Sequence, residues 1–330
     1  MKAIVSTKYG APEVLQMKEV DKPVPGENEI LIKIHATSVS SGDARMRRAD
    51  PFVIRLIFGF RKPKKSIPGV VLAGEIEAVG SSVSRFKAGD QVFGSSGMAF
   101  GAHAEYVAVP EDAVLALKPA TISYEEAAAI PFGGTAAMHF LRLANIQPGQ
   151  KVLVYGASGA LGTIGIQLAK NFGAEVTAVC SSANFDLVKS LGADEVIDYT
   201  KEDFTSKREH YDVVFDTLGK SPLGKTLGSL RKGGVLLLAN AGLGTMISSA
   251  FRSNFGNKKI VSGVIKETSE DMNSFKQLME DGKLKAVIDR IYTLKQISEA
   301  HAYVDKGHKK GNVIIAIHHH TQESLKSENQ

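Results

Sequence analysis

Cysteine occurs once in these 330 residues, as Cys180. A single thiol excludes an internal disulfide and any metal site built from cysteines. It suits a reducing compartment, so a cytoplasmic location is the expectation. Long apolar runs are missing too: none approaches the roughly 18 residues that a membrane-spanning helix needs. The chain reads as a strand from its first residues, Lys2–Ser6, and no signal or transit segment is expected there. Acid is scarce between Arg45 and Lys65, where Asp50 alone faces Arg45, Arg47, Arg48, Arg55, Arg61, Lys62, Lys64 and Lys65. That stretch is either a solvated loop or a surface for anions such as a phosphate or an acidic lipid. No basic motif interleaved with aromatics accompanies it, so no nucleic acid is expected as partner.

What is present is ordinary globular material: 43% apolar, 23% charged, 32 glycines and a net charge of +5. At about 100–200 residues per domain, the length suggests two domains. Residues 1–118 read as short strands, at Lys2–Ser6, Val14–Val20, Glu29–Thr37, Val70–Val79 and Ala104–Val109, separated by turn signals. Ser123 and Glu126 have the spacing of a capping box and open a helical stretch. From Lys151 strands alternate with helices. The strands are Lys151–Tyr155, Glu175–Val179, Glu195–Ile197, Asp212–Asp216, Val235–Asn240 and Lys259–Val264. The helices are Leu161–Phe172, Asn184–Leu191, Lys201–Lys207 and Leu223–Leu230. This rhythm predicts an α/β fold, a parallel sheet covered on both faces. A tail follows: helix Glu270–Asp281, strand Val287–Thr293, helix Gln296–Lys306 and strand Asn312–Ile317. It is too short for a core of its own and is expected to complete the first domain. His318, His319 and His320 adjoin at a strand end, and three neighbours cannot all face one ion.

The strand Lys151–Tyr155 runs into Gly156, Ala157, Ser158, Gly159, Ala160, Leu161 and Gly162, and a helix follows. Strand, glycine-rich turn and helix together form a pyrophosphate cradle. Small residues admit the phosphates, Gly162 lets helix and strand pack, and first-turn amides face the anion. At the end of the second strand an NAD site has an acid for the ribose hydroxyls. Here Ser181 and Ser182 stand instead, no acid appears before Asp186, and Tyr199 follows the third strand. A 2′-phosphate is admissible, so NADPH is expected over NADH. Asn240 and Ala241 follow the fifth strand, at the carboxyl edge where such sheets bind ligands.

Several stretches taken together resemble the medium-chain dehydrogenase/reductase superfamily over residues 1–317, and its quinone oxidoreductases and enone reductases most. They are Pro68–Ile76, Phe86–Val92, Ala104–Val107, Gly133–Ala136 and Leu191–Asp194. The resemblance implies a Rossmann sheet, residues 123–265, inserted in a GroES-like β-barrel domain, residues 1–122 completed by 266–330. It places Thr135 at the nicotinamide and implies a homodimer through the sixth strand. Zinc-dependent relatives ligate zinc at positions held here by Ser40 or Ser41, Val70 and the Pro131–Phe132 region, none of them ligands. A zinc-independent NADPH-dependent reductase of a quinone or α,β-unsaturated carbonyl is therefore expected. Ser41 and Arg45 are the catalytic candidates, as donors to the substrate oxygen. Asp43 is read as structural. The segment Phe52–Phe60 reads as an inserted lid, and residues 45–65 as a weak contact for a membrane surface.

Two other readings stand beside this one. One is an alcohol dehydrogenase, disfavoured by the missing ligands. The other is a non-enzymatic, cofactor-binding or membrane-associated relative. A short-chain dehydrogenase is weaker still, because no Tyr is followed four residues later by Lys.

Overall fold

The computed structural model describes residues 1–240 and 257–319. The chain forms two units, one of Met1–Pro131 with the chain from Ile288 onward, the other of Phe132–Val287. In chain order the first part carries β1 (Lys2–Ser6), β2 (Leu15–Glu19), β3 (Glu29–Val39), α1 (Ser41–Arg48) and α2 (Val53–Phe58). Then come β4 (Val71–Val79), β5 (Gln91–Ser95), β6 (Tyr106–Pro110), β7 (Val114–Leu117), α3 (Tyr124–Ala128) and α4 (Pro131–Ala144). The middle carries β8 (Lys151–Tyr155), α5 (Ala160–Asn171), β9 (Glu175–Cys180), α6 (Phe185–Ser190), β10 (Glu195–Asp198) and β11 (Tyr211–Asp216). It continues with α7 (Leu223–Ser229), β12 (Leu230–Leu238), β13 (Lys259–Ser262) and α8 (Ser269–Glu280). The last elements are β14 (Ile288–Thr293), α9 (Ile297–Asp305) and β15 (Asn312–Ala316). Among the described residues no helix is long and apolar enough to cross a membrane.

The first unit is organised around β3. This strand pairs antiparallel with β4, β6 and β15. Its alternate residues Ile30, Ile32 and Ile34 are wholly buried, as the two-residue period of a strand requires. Leu72, Val92, Leu115, Val313 and Ile315 pack into the same core. The full sheet runs β14-β15-β3-β4-β5-β7, with β6 on β3. The strands β5 and β7 and the helices α1 and α2 are absent from the sequence reading. Each is short, and β5 contains Gly94 at φ +152°, a residue that weakens a strand signal.

The second unit is a six-stranded parallel sheet in the order β10-β9-β8-β11-β12-β13. Chain order reverses between β8 and β11, the place where open α/β sheets bind ligands. The expected domain borders lie at 122/123 and 265/266, and the two units divide at 131/132 and 287/288. Helix α8 thus falls in the second unit, where Arg142 of α4 pairs with Asp271 of α8.

Two local expectations meet opposite outcomes. The capping box forms, Ser123 Oγ accepting from Glu126 N at 3.1 Å and Glu126 Oε2 from Ser123 N at 2.8 Å. The helix expected over Lys201–Lys207 does not: only a single turn, Phe204–Ser206, is helical. Asp198 accepts from Thr200 N at 3.0 Å, a side-chain bond to backbone that competes with a helix there, and Asp203 caps the short turn by accepting from Thr205 N at 3.0 Å.

Candidate functional site

Beyond Tyr155 the chain turns at Gly156, whose φ is +79°. A Cβ there would lie 2.6 Å from both Thr217 Oγ1 and Leu218 Cγ. The amides of Gly156 and Ala157 donate to Val179 O at 3.2 and 3.1 Å. Gly162 lies where a Cβ would overlap Gly156 O and the Ala157 backbone, so α5 rests directly on the loop. Gly159 is the N-cap of α5, with no side-chain cap and an ordinary φ of −80°. A Cβ on it would meet only Gly156 O, at 3.5 Å. The first amides of a helix have no acceptor within it, and no side chain of the N-cap Gly159 serves those of Ala160, Leu161 and Gly162. Together with the positive end of the helix dipole, this cradle fits a pyrophosphate.

Asp216, wholly buried at the end of β11, went unnoticed in the sequence. Its carboxylate accepts from Leu218 N at 2.9 Å, Gly219 N at 2.8 Å and Ser221 N at 2.9 Å. It thereby fixes the wall against which Gly156 sits. The available signal was an acid followed by a glycine three residues on, a turn pattern.

At the neighbouring strand ends, Ser181 Oγ accepts from Asn184 Nδ2 at 3.1 Å. Ser182 is exposed, and Tyr199 is 56% exposed. Asp198 lies in register with Cys180, and its side chain is buried. Hydrogen bonds from Thr200, then one from Ser182 and the charge of Lys201, hold this carboxyl below the usual range. Sequence reasoning sought an acid only at the end of β9 and so missed this one on the next strand. Burial, then the charge of Asp198, pushes the Cys180 thiol up to about 11.

Thr135 is buried in α4, with its hydroxyl 3.4 Å from Glu267 Oε1. Asn240 is half-buried just past β12; Ala241 lies outside the described residues. Of the predicted cofactor residues, Ala157–Gly162, Ser181, Ser182, Tyr199 and Asn240 thus gather at the carboxyl ends of β8, β9, β10 and β12.

In the first unit Ser40 caps α1. Its hydroxyl donates to Asp43 Oδ2 at 2.6 Å and accepts from Asp43 N at 3.1 Å, which gives Asp43 a structural role. Ser41 and Arg45 stand one turn apart on α1, both exposed. Asp43, Met46 and Arg47 occupy its opposite face. Arg47 is buried, donates to Gly10 O at 2.8 Å and pairs with Asp305, as does Arg48. The segment Phe52–Phe60 carries α2, with Phe52 60%, Leu56 64% and Phe60 62% exposed. His319 is engaged within its own unit: Nε2 lies 2.8 Å from Ile34 O and its ring 5.3 Å from that of His35. Among the described residues no group of three or more His, Cys, Asp or Glu is arranged to hold a metal ion.

Two family models match the chain: the alcohol dehydrogenase GroES-like domain over residues 26–119 and zinc-binding dehydrogenase over residues 191–315. A quinone oxidoreductase of Triphysaria versicolor is 33% identical, covering 96% of this chain and 98% of its own. An NADPH-dependent alkenal/one oxidoreductase of Arabidopsis thaliana is 32% identical over 96% of this chain and 79% of its own. Among solved structures, the quinone oxidoreductase of Coxiella burnetii superposes with a TM-score of 0.88 at 28% identity, over 96% of this chain and 99% of its own.

Proposed function

The chain belongs to the medium-chain dehydrogenase/reductase superfamily, among its quinone oxidoreductases and enone reductases, and we propose on that premise that it is an NADPH-dependent reductase of quinones or α,β-unsaturated carbonyls. The observation that carries this reading is the open, uncapped start of α5 behind Gly156–Gly162, at the reversal point of a parallel sheet. The amides of Ser158–Leu161 would hold the pyrophosphate, with Thr135, Asn240 and Ala241 serving the nicotinamide. Ser181, Ser182 and Tyr199 would receive the 2′-phosphate. Asp198 stands near this group; Thr200 binds one of its oxygens and the Lys201 ammonium lies 3.8 Å from the other. The cofactor supplies a hydride to the conjugated substrate.

Ser41 and Arg45 present a hydroxyl and a guanidinium from one exposed face of α1. They would stabilise negative charge growing on the substrate oxygen, a task that fixed donors perform well. The α-carbon proton would come from water. The reaction is read as zinc-independent, since the positions of the relatives' ligands hold Ser40 or Ser41, Val70 and the Pro131–Phe132 region, none of them a zinc ligand. A Rossmann domain inserted in a GroES-like barrel, a homodimer joined through β13 and a cytoplasmic location complete the proposal.

The experiment is NADPH consumption followed at 340 nm with 1,4-benzoquinone and with an enone, alongside NADH. Turnover with a preference for NADPH is expected. Binding without turnover on any acceptor would favour the non-enzymatic reading. A clear preference for NADH would overturn the roles of Ser181 and Ser182.

A further inference from the structure

Against α2 the first unit contains a cavity of about 200 Å³, and beside it a second hollow of about 350 Å³. The two differ in chemistry. Leu15, Met46, Ile57, Phe58, Met98 and Phe100 make the lining of the first mainly apolar. For scale, an apolar cavity of about 150 Å³ takes up benzene. The second is lined by Arg61, Lys62 and Lys64 and by three hydroxyl-bearing residues, Ser6, Thr7 and Ser66. Ser6, Pro63 and Lys64 line both, so the two lie side by side, and the exposed Lys64 marks their common mouth. Neither Ser41 nor Arg45 lines either of them.

The loop that separates them from solvent is held in shape. Tyr9 Oη donates to Gly59 O at 2.9 Å, and Lys64 N donates to Phe58 O at 2.7 Å. Gly59 has φ +125°, and a Cβ there would overlap Lys62 O, so the turn that brings 61–64 back against the end of α2 needs glycine.

Charge is divided between the two hollows. Among the described residues Arg61, Lys62, Lys64 and Lys65 form no ion pair with an acid, and no acid lines the second hollow. In the apolar lining the charge of Arg47 is answered by Asp305. Asp43, the one acid there, has Oδ2 engaged by Ser40 N at 2.8 Å and Ser40 Oγ at 2.6 Å. Unanswered positive charge therefore stands at the mouth, and apolar surface lies within. This division fits an amphiphile with an anionic head. Three cations beside three hydroxyls match the charge and the several acceptor oxygens of a phosphate monoester better than the single charge of a carboxylate.

We propose that the first unit binds a single-chain alkyl phosphate, its chain in the apolar cavity and its phosphate among Arg61, Lys62 and Lys64. The binding involves no redox step and is separate from the site of Ser41 and Arg45.

Titration calorimetry of the full chain with octyl phosphate, below its micelle concentration, tests this against inorganic phosphate, octanol and octanoate. Octyl phosphate is expected to bind at least about tenfold more tightly than each of the others. Across butyl, hexyl and octyl phosphate the affinity should rise by about fourfold per methylene, the value of burying one, and level off once the chain fills the cavity. The exposed triple variant Arg61→Ala, Lys62→Ala, Lys64→Ala should bind octyl phosphate no better than octanol. Ile57→Trp, at a lining position that is 56% exposed, should occupy the cavity and remove the dependence on chain length. Octyl phosphate binding no more tightly than inorganic phosphate or than octanol would mean two unconnected hollows and would overturn the proposal. So would wild-type affinity in the triple variant, or loss of binding in Arg45→Ala, which would put the amphiphile on the other face of α1.

Discussion

Gly159 has an ordinary backbone and open space before it, so this position separates folding from binding. A valine fits the chain there, but its side chain stands in the approach to the amides of Ala160 and Leu161. Gly159→Val is expected to weaken NADPH binding by more than about tenfold, with a melting temperature within about 3 °C of wild type. Calorimetry and thermal unfolding read the two quantities, and unchanged affinity would remove the phosphate cradle. Gly162 offers no such separation, because a Cβ there would strike the loop backbone. Cys180 gives a second expectation. With its pKa pushed up to about 11 by burial and Asp198, only about one thiol in a thousand is thiolate at pH 8. Iodoacetamide at pH 8 should label the unfolded chain and spare the folded one; rapid labelling of the folded protein would contradict the burial.

Helix α1 shows what a sequence makes legible and what it withholds. The glycine turn, the capping box at Ser123 and, apart from the helix expected over Lys201–Lys207, the β–α rhythm of the second unit depend on neighbours a few residues apart, and they read correctly. Buried Arg47 does not, because its partner Asp305 lies 258 residues away. Asp216 and Asp198 bind residues only two to five places further along the chain; what the sequence withheld is their place at the strand ends beside the glycine turn. The reading of Ser41 and Arg45 stands on spacing and resemblance, and the helix adds that they share a face. Alanine at either is expected to lower enone turnover by about 10²–10³ while NADPH affinity stays near wild type. A quinone, more easily reduced, should lose less. Full enone turnover in both variants would end the catalytic assignment.

On the scale of the molecule, β13 closes one side of the parallel sheet. Its residues Ile260–Ser262 are half-buried and the nearby Val264 is 89% exposed. An apolar edge invites pairing with a second chain. Sedimentation at micromolar concentration should report a homodimer, and a monomer would count against the edge. The other surface of interest is Phe52–Phe60, where Phe52, Leu56 and Phe60 project among the basic residues of 45–65. Basic charge beside exposed apolar side chains suits an anionic bilayer surface. Weak co-sedimentation is expected with phosphatidylglycerol vesicles at low salt, falling at high salt and absent with phosphatidylcholine. Equal behaviour with both lipids would refute the contact.

Strand β15 lies between β14 and β3, well inside the sheet of the first unit, although it is the last strand of the described chain. A ribosome therefore releases β3 long before its neighbour exists. The second unit has all its strands in hand while in the first the Ala36–Val39 part of β3 still lacks its partner, β6 covering only Glu29–Lys33. A chain that stops short of Asn312 would leave a finished nucleotide-binding sheet attached to an unfinished companion, and quality control would meet that bare strand.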